Sequence, residues 1–154
     1  MNIPVDRLNL DSDAPPPHSE GLFVTIFTDA SVCHNTKAYG CALWAKAGKS
    51  AKPFQKAWGG RGCKGSSYAE LEALEGAVWY ALNEIDCTGM VVVIQSDCIG
   101  ALNKLDISAL RSKAKYVKLK HVKAHVGKRT NRSKVNDIVD QMARRAMQRW
   151  RKKS

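Results

Sequence analysis

Asp29, Glu70, Asp97 and Asp140 stand where apolar stretches end or turn inward, in a chain whose last third is crowded with lysine and arginine. Carboxylates gathered in one folded site repel one another, so their convergence calls for Mg²⁺ or Mn²⁺ to neutralise them. Two such ions are the usual apparatus for cutting a phosphodiester. The basic residues would attract the polyanion. From Arg111 to Ser154 sixteen lysines and arginines stand against two aspartates, a net charge of +14, whereas residues 1–110 carry −3. A basic load at one end is the footprint of a phosphate-backbone binder, and its bland counterpart is a solvated, solubilising face.

The elements that position these residues belong to one core: 154 residues at 44 % hydrophobic suffice for one domain and are too few for two comfortable ones. Residues 1–20 hold Pro15-Pro16-Pro17 and a net charge of −3, so a flexible acidic tail is expected there and a folded domain over 21–154. Cys33, Cys41, Cys63, Cys87 and Cys98 are odd in number and form no C-x-x-C pair, which argues against a disulfide framework or a zinc knuckle. They read as reduced thiols of a cytoplasmic protein. The longest apolar stretches are strand-sized and no charged-then-apolar leader appears, so no membrane association is expected, and nothing points to an obligate protein partner.

From Leu22 the residues alternate, with Phe23, Thr25, Phe27 and Asp29 on one face and Leu22, Val24, Ile26 and Thr28 on the other, predicting a strand that ends at Asp29. Tyr39 to Ala45 and Pro53 to Trp58 predict two shorter strands of an antiparallel meander, with Gly48, Lys49 and Ser50 turning between them. A helix follows over about Ser66 to Ile85, with Leu71, Leu74, Val78, Ala81 and Ile85 on one stripe and Ser66 or Ser67 as N-cap. At 100° per residue Glu70 lies within about 50° of that stripe's centre and Glu72 about 150° away. Glu70 therefore faces inward, where a carboxylate is costly unless paired or metal-bound, and Glu72 is expected in water. Met90 to Ile94 reads as a central parallel strand leading to Asp97, Cys98 to Leu105 as a short helix, and Tyr116 to Val122 as a further strand. In the last helix, about Ser133 to Lys152, Asp140 borders the buried face and Asp137 points to solvent.

Phe27-Thr28-Asp29-Ala30-Ser31, Ser67-Tyr68-Ala69-Glu70-Leu71, Gln95-Ser96-Asp97 and the closing pair Val122-Lys123-Ala124-His125 and Asn136-Asp137-Ile138-Val139-Asp140 follow one another on these elements. In order and in residues this resembles type 1 ribonuclease H over about residues 22 to 150. The resemblance implies an α/β ribonuclease H-like fold: a five-stranded mixed sheet, antiparallel meander plus parallel strands, flanked by helices. It also implies an endoribonuclease that hydrolyses the RNA strand of RNA/DNA hybrids with two Mg²⁺, or Mn²⁺, held by Asp29, Glu70, Asp97 and Asp140. Asp137 is the second choice for the fourth acid, since in the first turn it also serves as a helix-dipole charge. His125 resembles the family's proton-handling histidine; otherwise it is a surface histidine. Substrate contacts are expected from Ser31, Cys33, Asn35, Ser66, Ser67, Lys123 and Lys128.

The chain departs from the family at Ser66 and Ser67, where an Asn pair is common, and at Ile99, where a Gln is common. The 18 residues from Cys98 to Lys115 are too few for the basic protrusion of many bacterial enzymes. Basic residues around Lys113 to Lys134 and on the last helix could take its place, and phosphate contacts are expected among Lys118, Lys120, Lys123, Lys128 and Lys134. Competing readings are a nuclease of the same fold on branched DNA or double-stranded RNA, and a catalytically silent nucleic-acid-binding module.

Overall fold

The computed structural model describes residues 23–48, 52–122 and 131–152. Strand β1 (Phe23–Val32) is followed by β2 (Tyr39–Ala47), β3 (Phe54–Gly60), helix α1 (Ser66–Trp79), β4 (Val91–Ser96), α2 (Ile99–Lys104), α3 (Ser108–Lys113), β5 (Tyr116–His121) and α4 (Asn131–Lys152). The five strands form one sheet in the order β3-β2-β1-β4-β5. β1, β2 and β3 pair antiparallel, and β4 joins parallel to β1 and to β5. This is the mixed five-stranded sheet that the sequence implies.

Helices pack on both faces of the sheet, and the central strand β4 is buried along all six residues, its first four apolar without alternation. On one side Val24, Ile26, Leu43, Leu74, Ile94, Leu102 and Leu119 share a core. On the other, Phe27 and Ala42 pack against Val139 and Ala143 of α4. Gly40 makes that second contact close: a Cβ there would lie 2.1 Å from the Ala143 carbonyl oxygen and 2.4 Å from the Met147 nitrogen.

Several boundaries differ from the sequence reading. β1 does not stop at Asp29 but continues to Val32, because β2 keeps pairing with it up to Val32–Tyr39. The N-cap of α1 is Gly65, with no side-chain cap, so neither Ser66 nor Ser67 fills that role. The expected α-helix to Ile85 changes after Trp79 into a π turn over Tyr80–Glu84, in which the Ile85 N–H donates to the Tyr80 carbonyl at 3.3 Å. Leu71, Leu74, Val78, Ala81 and Ile85 keep spacings of three and four across this turn in the sequence, so periodicity alone does not reveal it. A short helix α3 also stands between Leu105 and Tyr116, where the sequence predicts no element; before it Asp106 accepts the Ser108 N–H at 3.0 Å. All five cysteines are free, and among the described residues no helix is long and apolar enough to cross a membrane.

Candidate metal centre

The pairing of β1 creates an opening. Its parallel ladder with β4 ends at Phe27–Gln95, while its antiparallel ladder with β2 runs five residues further. Beyond the last parallel pair the two strands carry Asp29 and, one residue past the end of β4, Asp97. α1 brings Glu70 to the same place because its buried face is Ala69, Glu70, Ala73, Leu74 and Ala77, turned toward Glu70 relative to the expected stripe. One carboxylate oxygen from each of Asp29, Glu70 and Asp97 lies within 4.8 Å of the others.

The three acids differ in surroundings. Asp29 is 9 % exposed and its Oδ1 accepts the Ala30 N–H at 2.8 Å. Glu70 is also 9 % exposed, and its Oε1 is buried with no hydrogen-bond partner. Asp97 is exposed. Its carbonyl lies 3.1 Å from His121 Nε2, and the Cys98 N–H after it donates to Ser96 Oγ at 3.1 Å, so the turn is fixed on both sides. Burial above all, and next the charge of Asp97, push the Asp29 carboxyl from 3.8 up to about 7. Burial likewise drives Glu70 far above the carboxylate range, followed by its hydrogen bond with Asp97 and the charge of Asp29.

A hard divalent cation fits this donor set. Its ligands are oxygens, and the unpaired Glu70 Oε1 is a buried acceptor that nothing else among the described residues satisfies. A cation there would take over the role of the protons that burial and mutual repulsion now favour.

Asp140 stands apart from the three. It lies on α4 near enough for its charge to raise Asp29 further, but its carboxylate accepts from Arg144 Nη2 at 2.9 Å and its side chain is 44 % exposed. Asp137 points to solvent as expected. Ser31 and Cys33 are half-buried at the end of β1, Asn35 is exposed in the following turn, and Ser66 and Ser67 are exposed at the start of α1. His125, Lys123 and Lys128 fall outside the described residues.

Two expectations are overturned. Glu72 is not merely solvated: it accepts from Tyr39 Oη at 3.1 Å, Trp58 Nε1 at 2.9 Å and Cys41 Sγ at 3.8 Å. These partners come from β2 and β3, and helical periodicity carries no signal for them. Lys118 and Lys120 are buried in β5, 8 % and 4 % exposed, so they are not the phosphate contacts expected of them.

No protein-family model and no curated protein sequence matches the chain. Solved structures do. The N-terminal RNase H domain of rv2228c from Mycobacterium tuberculosis, solved as a fusion with maltose binding protein, is similar at a TM-score of 0.62 and 18 % identity, over 84 % of this chain and 96 % of that one. LC11-RNase H1, solved in complex with an RNA/DNA hybrid, is similar at a TM-score of 0.58 and 14 % identity, over 82 % of this chain and 97 % of that one. Strand order, pairing directions and helix placement agree with this likeness.

Proposed function

We propose that this chain, which has a ribonuclease H-like fold, is a metal-dependent endonuclease that hydrolyses the RNA strand of RNA/DNA hybrids. The observation that carries the reading is the meeting of Asp29, Glu70 and Asp97 within 4.8 Å, with the Glu70 Oε1 buried and unpaired. LC11-RNase H1, a solved neighbour in fold, was captured on an RNA/DNA hybrid, and this supports the choice of substrate.

In this reading Asp29, Glu70 and Asp97 hold the cation and Asp140 completes the set by leaving Arg144. Two bound Mg²⁺ or Mn²⁺ ions would supply Lewis-acid polarisation of the phosphate, an activated water and stabilisation of the leaving 3′ oxygen. Asp29 and Glu70 hold their oxygens rigidly because β1 and α1 bury them. Asp97, exposed at the end of β4, is the ligand through which solvent and substrate approach. His125 moves a proton as the product leaves. Ser31 and Cys33 at the end of β1, Asn35 in the turn after it, and Ser66 and Ser67 at the start of α1 contact the nucleic acid. Lys123 and Lys128 neutralise phosphates.

A substrate panel in Mg²⁺ tests the proposal: RNA/DNA hybrid, double-stranded RNA, branched DNA and single strands. Cleavage of the hybrid alone, in its RNA strand, is the expected result. Cutting branched DNA or double-stranded RNA with the hybrid intact would replace the substrate, and the exposed Ser66, Ser67 and Ile99 would then be where to look for the change. Binding without cutting of any member would make the chain a nucleic-acid-binding module.

A further inference from the structure

Tyr39 and Trp58 donate to Glu72, two residues beyond Glu70, with the Cys41 thiol 3.8 Å away, and these three residues stand on β2, the strand beside Asp29, and on β3 next to it. Tyr39 opens β2 opposite Val32 and Gly60, Cys41 pairs with Ala30 on one side and Trp58 on the other, and Asp29 itself lies opposite the next residue, Ala42. Glu72 Oε1 accepts a hydrogen bond from the Tyr39 hydroxyl and Oε2 accepts one from the Trp58 indole N–H. Cys41 Sγ, fully buried, adds a contact to the Ala69 carbonyl at 3.4 Å, immediately before Glu70.

Neighbouring packing leaves these donors little freedom. A Cβ on Gly76 would lie 2.5 Å from the Trp58 ring, so the indole is wedged against α1 one turn past Glu72. A Cβ on Gly60 would meet the Tyr39 ring at 3.0 Å. α1 has no side-chain cap at its start, and beside the Glu70–Asp97 hydrogen bond and the packing of Leu74 these bonds tie its first turns to β2 and β3. We infer that Glu72 is a positioning residue for the metal centre: by gripping Tyr39 and Trp58 it sets where α1 stands on β2 and so holds Glu70 at the distance from Asp29 that a cation requires. This rests on the metal reading above and adds to it a residue that touches neither cation nor substrate.

Partners that orient metal ligands are worth about ten-fold or more in metal affinity when lost. The test is Mn²⁺ binding to the full chain without nucleic acid, by calorimetry and by electron paramagnetic resonance, beside a thermal melt of each variant. Glu72→Ala should weaken Mn²⁺ binding about ten-fold and shift the Mg²⁺ midpoint of turnover by a similar factor. Glu72→Gln should restore both, because its amide oxygen can accept from the donor-only indole while its NH₂ donates to the Tyr39 oxygen. Wild-type Mn²⁺ affinity in Glu72→Ala, or equal loss in Glu72→Gln, would overturn the inference. Should Glu72→Ala fail to melt cooperatively, Tyr39→Phe and Trp58→Phe take its place, each removing one donor and leaving a ring; wild-type affinity in both overturns it equally. A wild-type chain that binds Mn²⁺ but cuts no hybrid would sink the proposed substrate and leave Glu72 in its role. One that binds no Mn²⁺ would remove both.

Discussion

A buried carboxylate oxygen without a partner weakens a fold unless a ligand uses it, and Glu70 sets up that conflict most plainly. Glu70→Gln should abolish metal-dependent cleavage and yet make the metal-free protein more stable at pH 7 by about 1–3 kcal/mol, read from urea unfolding in chelator. Equal or lower stability would mean that the site is relaxed around its own charges. Asp29 adds a pH signature. Its folded pKa of about 7 lies above the ordinary 3.8, so the folded chain keeps a proton that the unfolded chain gives up. That contribution is fully favourable below about pH 4 and is lost as pH rises to about 7. Metal-free melting curves across that window should therefore flatten in Asp29→Asn relative to wild type, and added Mg²⁺ should flatten the wild type too; parallel curves would refute the assignment. Glu70 was legible in the sequence because an acid near the centre of an apolar stripe is out of place. Glu72 was not, since its partners Trp58 and Tyr39 lie 14 and 33 residues away and only the folded sheet aligns them.

Among elements, α4 stands against β2 at a separation that Gly40 permits. Gly40→Ala would drive a methyl into the backbone of Ala143 and Met147, which cannot yield as a flexible side chain would. A loss of about 2–4 kcal/mol is expected in urea unfolding, together with weaker metal-dependent turnover, because Asp140 moves with the helix. Little change in either would show that α4 can slide on β2. The same helix separates its two acids: Asp140→Asn should cut turnover severely at fixed Mg²⁺, while Asp137→Asn, facing water, should cost a few tenths of a kcal/mol at most. The reverse result would reassign the fourth ligand. Helix α4 was readable from its 3.6-residue spacing, and β4 from its unbroken apolar run between turns. α3 is only six residues long, too short for periodicity to register, and the π turn after Trp79 lies under apolar residues that still read at helical spacing in the sequence.

Over the whole molecule, charge should govern encounter with nucleic acid. Log affinity for hybrid should fall linearly with log salt, and removing one contacting charge should lower the slope by about one unit. Arg145→Gln and Arg149→Gln, exposed on α4, can report such contacts, whereas Lys118→Gln and Lys120→Gln should alter stability and leave the slope alone, because both side chains are buried in β5. A slope lowered by the β5 changes and untouched by the α4 ones would move the binding groove. The basic load of the last third was plain in the sequence, but which lysines face inward depends on how β5 lies at the sheet edge, and alternation in a strand of six residues does not decide it. The arrangement of the sheet also carries a meaning for synthesis. All five strands, with Asp29, Glu70 and Asp97, have been made by His121, yet Phe27 and Ala42 on one face have no cover until α4 emerges. Burial of that face therefore waits on the 22-residue α4, and a nascent chain that lacks it leaves those apolar side chains open to other contacts.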